Sequence, residues 1–174
     1  MAFYSTSGDE HRMVLEITVP SILSLAATTA LLLIYAVLDL RTRIVPNRIM
    51  VAGGLTGLVI VILTGHLVDQ ALLHLSASVF MVLVAYLLFR AGAFGGADVK
   101  AVVTVAILSP GIEFGSWSDP VLEGILGSGL LLVTILLGAY LFSRYRPKKE
   151  VTRVTPLLPM VLAAYLLLQL LAVA

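Results

Sequence analysis

The chain has 174 residues, 60% of them hydrophobic and 12% charged, with a mean hydropathy of +1.07 and a formal net charge of +1. A soluble domain of this length needs more charge to cover its surface, so the composition points to a bilayer. The near-zero charge argues against a nucleic-acid or acidic partner, and the lack of cysteine excludes disulfides, thiol nucleophiles and thiolate metal sites. Residues 1–16 form a polar tail whose basic residue is Arg12. The apolar run that follows is longer than a signal-peptide core and reads as a retained membrane helix.

A hydrocarbon core of ~30 Å takes ~20 apolar residues per helix. Ile17–Leu40, Ile49–Val68, Ala71–Phe89, Val121–Phe142 and Val154–Ala174 meet that length. The stretch Val99–Leu108 does not meet it alone, and it runs into Ser109-Pro110-Gly111 and then Trp117. Charge decides whether it crosses, because basic residues favour the cytoplasmic side. With a crossing over residues 99–117, kinked at Pro110, every Lys and Arg except Arg12 falls on one side: Arg41, Arg43, Arg48, Arg90, Lys100, and the run from Arg144 to Arg153. Without it, that basic run lands outside. The expectation is therefore an all-α, polytopic membrane protein with six transmembrane helices, N-out and C-out, forming one domain over residues 1–174.

This topology filters the candidates for chemistry. His11, His66 and His74 fall at or near the outer side, with Asp9, Glu10, Glu16, Asp69, Glu113, Asp119 and Glu123. No His-Glu-x-x-His, Gly-x-Ser-x-Gly or phosphate-loop motif occurs. The cytoplasmic side keeps Asp39, Asp98 and Glu150. Glu150 sits among basic residues and balances their charge. Asp39 lies near the end of the first span, where it faces the negative end of the helix dipole and has no capping role. Its bland reading is an ion pair with Arg43, four residues on along the same helix face. Asp98 lies in Gly95-Gly96-Ala97-Asp98-Val99-Lys100, and its bland reading is the N-cap of a helix starting at Val99. The glycines tell against that alone, since non-helical backbone at membrane depth belongs in protein or along a wet cavity. Two carboxylates brought together there share a proton and polarise a water between them, which can attack a peptide carbonyl. Their helix positions favour Asp98 as the base and Asp39 as the acid.

Asp39 with Pro46-Asn47 downstream resembles the first-aspartate motif of the type IV prepilin and archaeal preflagellin peptidases, and Gly95-Gly96-Ala97-Asp98-Val99-Lys100 is similar to their Gly-x-Gly-Asp motif. Pro156 and Pro159 resemble the proline-containing opening of the family's last helix. The resemblance implies a six-helix aspartic endopeptidase without metal or cofactor. Its partners are the lipid bilayer and a membrane-anchored prepilin or preflagellin precursor, cut on the cytoplasmic side of a prokaryotic plasma membrane. It implies Asp39 and Asp98 as catalytic residues, with Pro46, Asn47, Gly95, Gly96, Lys100, Pro156 and Pro159 shaping the cleft. Two departures stand out. Ala97 replaces the usual second glycine, which restricts a positive φ at that point. The cysteine-bearing cytoplasmic domain of the N-methylating members is absent, so methylation is not implied.

Rival readings use the same acids differently. A small proton- or cation-coupled transporter would carry its ligand on Asp39 and Asp98. It should also show polar residues at mid-depth, and no polar ladder is expected through the second, third or fifth spans. A presenilin-like protease expects nine helices, and an assembly factor expects no catalysis.

Overall fold

The computed structural model describes residues 14–15, 18–111, 115–116, 119–145 and 156–171. Within them the protein is helical: α1 (Val19–Thr42), α2 (Asn47–Leu63), the single turn α3 (His66–Asp69), α4 (Ala71–Arg90), α5 (Gly96–Leu108), α6 (Pro120–Tyr145) and α7 (Leu158–Leu171). A two-residue antiparallel pairing of β1 (Val14–Leu15) with β2 (Gly115–Ser116) completes it. The rest of the N-terminal tail, Glu113 and Trp117 at the expected outer interface, and Glu150 with the basic run from Arg146 to Arg153 lie outside the described residues.

The distribution of side chains identifies the solvent. Leu33, Ile34, Val51, Leu55, Leu83, Leu87 and Val133 are more than half exposed, while Ser21, Ser24, Thr28, His66, His74, Glu123, Ser128 and Gln169 are buried. A surface of large aliphatics around a partly polar interior suits lipid, not water. α1, α4 and α6 are long and apolar enough to cross a membrane; α2 and α7 are apolar but shorter, at 17 and 14 residues.

The boundaries differ from the sequence expectation at two places. The second run ends at Leu63, because Gly65 adopts φ +78 and turns the chain into α3. Only a residue without a Cβ takes that conformation without cost. The fourth run is a 13-residue helix that stops at Leu108, not one kinked at Pro110. At ~1.5 Å per residue α5 spans about 20 Å, well short of the core.

Backbone groups left open at a buried helix end are costly in lipid, each by several kcal/mol. Here other helices supply the donors. The Ser78 hydroxyl of α4 donates to the carbonyl of Ala106 and the Ser24 hydroxyl of α1 to that of Leu108. His74 of α4 bonds the carbonyl of Ile107 through Nδ1 at 2.7 Å, and the Gln169 amide of α7 donates to Gly111. The buried hydroxyls of Ser109 and Tyr165 bond each other at 2.7 Å. Ser24, His74, Ser78 and Gln169, polar residues inside the bundle, therefore serve the end of α5 and the turn after it. They form a cap for a short helix.

Glycines set the helix spacing on both sides. A Cβ on Gly53 would strike Leu31 and the Tyr35 hydroxyl of α1, and one on Gly57 would strike Leu108 of α5. On α6, a Cβ at Gly124 would sit 2.9 Å from the Leu73 carbonyl oxygen and 3.1 Å from the Ala77 nitrogen of α4. Small residues at these crossings let backbones approach closely, as in other membrane helix pairs. The core between them holds Leu32, Tyr35, Met81, Val102, Val105, Ile135, Val161 and Tyr165.

Candidate active site

Four helix ends meet at one end of the bundle. α1 finishes there, and α2, α5 and α7 begin there. The Tyr35 hydroxyl donates to the Met50 carbonyl at 2.9 Å and fixes the start of α2 against α1. Lys100 Nζ donates to Asn47 Oδ1 and joins the first residue of α2 to the second turn of α5. Every described Lys and Arg lies at this end, whereas Asp69, Asp119 and Glu123 lie at the other. Glu123 approaches Gly111 there, and His66 and His74 form an edge-to-face pair.

Asp39 is half-buried, one turn before the end of α1. Its carboxylate accepts a hydrogen bond from the backbone N–H of Leu158, the first residue of α7. The Arg43 guanidinium acts on it electrostatically, but Arg43 is not on the same helix face as expected. It is the C-cap, in the left-handed conformation at φ 59, and its N–H closes the helix onto the Asp39 carbonyl at 3.1 Å. Thr42 braces this strained turn by donating to the Leu38 carbonyl, and its hydroxyl also lies 2.8 Å from the Ile44 carbonyl.

Asp98 is brought in by a short, well-defined loop. α4 ends with Gly92 at φ +76, the Gly92 N–H on the Phe89 carbonyl and the Ala93 N–H on the Leu88 carbonyl. This bond pair around a left-handed glycine is the Schellman arrangement. Buried Phe94 then pins the loop to the core. The helix starts at Gly96, so Asp98 is its third residue and Gly95 the N-cap, not Asp98. The Asp98 carboxylate reaches back to accept the Gly95 N–H at 2.8 Å, closing the capping turn from inside the helix. A Cβ on Gly95 would lie 3.0 Å from that oxygen, so a side chain there would crowd the carboxylate. Ala97 has an ordinary helical backbone, as Arg43 alone among the described non-glycine residues has positive φ. The departure from the glycine motif therefore costs nothing at that position.

Asp39 and Asp98 interact electrostatically across the junction of α1 and α5. Each also receives a backbone N–H at a helix start, Asp98 from the α5 turn and Asp39 from α7. From sequence, Asp39 stands at the negative end of α1 against apolar Leu38 and Leu40, and Asp98 at the positive start of α5 near Lys100. The Leu158 N–H at the start of α7 gives Asp39 a donor that opposes the α1 dipole. Of the remaining expected residues, Pro46 is the N-cap of α2 and Gly96 opens α5. Pro156 is buried just before α7, and Pro159 is its second residue. All of them belong to the elements that converge on the two acids. Leu158 escaped the sequence reading because its contribution is a backbone N–H, which no side-chain motif records.

The fold and the paired acids define a helical membrane protein with a carboxylate site at one end of its bundle. The profile of the type IV leader peptidase family matches residues 26–143, more than half of the chain and including both aspartates. The chain belongs to that family. No curated protein sequence and no solved structure matches it.

Proposed function

We propose that the protein is an aspartic endopeptidase that removes the leader from prepilin- or preflagellin-type precursors at the cytoplasmic face of a prokaryotic plasma membrane. Asp39 and Asp98 are its catalytic pair. One observation carries the reading: two half-buried acids from different helices interact at the end of the bundle that holds all the described basic residues. Basic residues mark the cytoplasmic side. The six-span, N-out and C-out arrangement follows from the same charge sorting, with α5 and the chain after it as the fourth crossing.

The chemistry follows from the pair. Two neighbouring carboxylates hold one proton between them and a water against both. The ionised member takes a proton from that water as its oxygen attacks the scissile carbonyl. The protonated member hydrogen-bonds the carbonyl oxygen as charge develops on it. Collapse of the tetrahedral intermediate breaks the C–N bond, and a carboxyl proton goes to the departing amine. The N–H groups of Gly95 and Leu158 hold the two carboxylates in place. The pair titrates as a unit, so no role is assigned to either acid alone.

Pro46, Asn47, Gly95, Gly96, Lys100, Pro156 and Pro159 shape the cleft around the pair. Co-expression with a precursor pilin or archaellin tests the reading. The wild-type chain should give a shift in precursor mobility that Asp39→Asn and Asp98→Asn each abolish while still inserting. A shift that persists in either variant removes the dyad.

A further inference from the structure

A membrane-facing groove of about 270 Å³ runs between α2 and α5. Its walls include Met50, Leu55 and Leu58 of α2 and Val103 and Ile107 of α5, and Gly54 and Thr104 face each other across its floor. Lys100 is the charged residue that lines it, at the end nearest Asp98, two residues along the same helix. We infer that this groove docks the apolar transmembrane segment of the precursor and so feeds the scissile bond to Asp39 and Asp98. The inference rests on the leader-peptidase reading and adds the route and direction of the substrate.

Length favours a helix as the occupant. α2 and α5 have 17 and 13 residues, about 26 and 20 Å, beside α1 and α6 with 24 and 26 residues. Bilayer meeting two short helices must thin, at a cost that grows with the mismatch. A longer apolar helix lying against them covers the deficit. The floor suits one too: Gly54 has no side chain and Thr104 a small one, which lets a partner backbone approach. From Lys100 to Leu108 the groove runs about 12 Å, roughly two turns of a helix.

Charge sets the direction. Lys100 holds a positive charge at the mouth, tethered to Asn47, and Asp98 precedes it by two residues on α5. A leader that is basic on one side of the scissile bond and apolar on the other is repelled by Lys100 and attracted by the acids. Its apolar side therefore enters the groove and its basic side passes over Asp39 and Asp98.

The test uses the full chain in membranes with a co-expressed precursor. A photoreactive residue at Leu55 or Val103, in an Asp98→Asn background that prevents turnover, should cross-link the precursor through its apolar segment. The same probe at Leu83 or Val133, on the outer faces of α4 and α6, should not. In the active enzyme, Gly54→Leu should raise KM about tenfold, the loss of one good helix contact, with kcat unchanged. Leu83→Ala, on the outer face of α4, should leave both constants unaltered. Cross-links to phospholipid alone at Leu55 and Val103 would make the groove a lipid site and overturn the inference. So would wild-type cleavage with precursor cross-links at Leu83 or Val133 instead. Absence of any cleavage by the wild type overturns the peptidase reading itself, and this inference with it.

Discussion

Replacing Asp98 by Asn separates chemistry from folding in this site. The carboxylate accepts the Gly95 N–H at 2.8 Å, and an amide oxygen in the same place accepts it equally. What the folded state loses is charge at the start of α5, worth about 0.3–1 kcal/mol. Relief of repulsion from Asp39 offsets part of that. The stability of Asp98→Asn should therefore stay within ~1 kcal/mol of wild type. Catalysis should fall far more. An amide can neither take the proton from water nor share one with Asp39, and removing one member of a unit disables the unit. A loss of at least ~10³-fold corresponds to about 4 kcal/mol in the barrier. Single-turnover cleavage of a precursor in detergent micelles, read beside thermal unfolding of the same preparation, measures both quantities. Asp98→Asn that cleaves within tenfold of wild type would refute the dyad. Unfolding that collapses together with activity would refute the view of the Gly95 contact as one an amide can keep.

Other expectations follow from the packing. Gly124→Ala puts a methyl 2.9 Å from a backbone carbonyl that cannot swing away, so it should force α4 and α6 apart and cost about 1–3 kcal/mol in unfolding experiments; unchanged stability would contradict the close crossing. Ser24→Ala and His74→Leu each remove a donor from the end of α5 and should destabilise by about 1 kcal/mol, nearer ~0.6 if the unfolded chain finds partners in the micelle. Ala97→Gly restores the commoner motif but loosens a helical residue, so it should lower stability by about 0.5–1 kcal/mol without raising activity. Cysteines at Ser7 and Ser143 should label from opposite faces of the membrane, and labelling from the same face would sink the six-span count.

Much of the site was legible because acids are rare in this sequence. Once the basic residues are sorted to one side, Asp39 and Asp98 are almost the only carboxylates left there, and in the structure both lie where α1 ends and α5 begins, near enough for the Asp39 charge to act on Asp98. Gly92, Gly95 and Gly96 correctly marked the break between α4 and α5. They could not show which glycine did what. Positive φ belongs to Gly92 and close approach to Gly95, while Gly96 is simply the first helical residue. Helix starts were misjudged where side-chain preference competes with geometry. Asp98 has the composition of an N-cap but works from inside the helix, reaching back to the cap position. The polar interior was underestimated for a different reason. Ser24, Ser78, His74 and Gln169 are scattered over three helices and meet only because α5 ends at Leu108. The signal was present in the shortness of that run, since a helix that stops inside a membrane must find donors for its last carbonyls.

That shortness also bears on how a membrane protein hydrolyses a peptide bond. Hydrolysis needs water at the acids, and an anchored precursor needs lateral access from lipid. A full-length fourth helix would seal its neighbours along the whole core. α5 falls about 10 Å short of that thickness. At its far end the deficit is closed from within the protein, by side chains of α1, α4 and α7 on carbonyls that would otherwise face lipid. At its near end the polar groups are of another kind. They are the Gly95 N–H, the Asp98 carboxylate and the Lys100–Asn47 pair, and the side of α5 next to them lines an open groove. The far end of α5 is tied to its neighbours by side-chain donors, and the near end carries charge beside an open flank, as the proposed cleavage of an anchored precursor requires. Moving the break toward the middle of the bundle would lose the water. Lengthening α5 would close the flank.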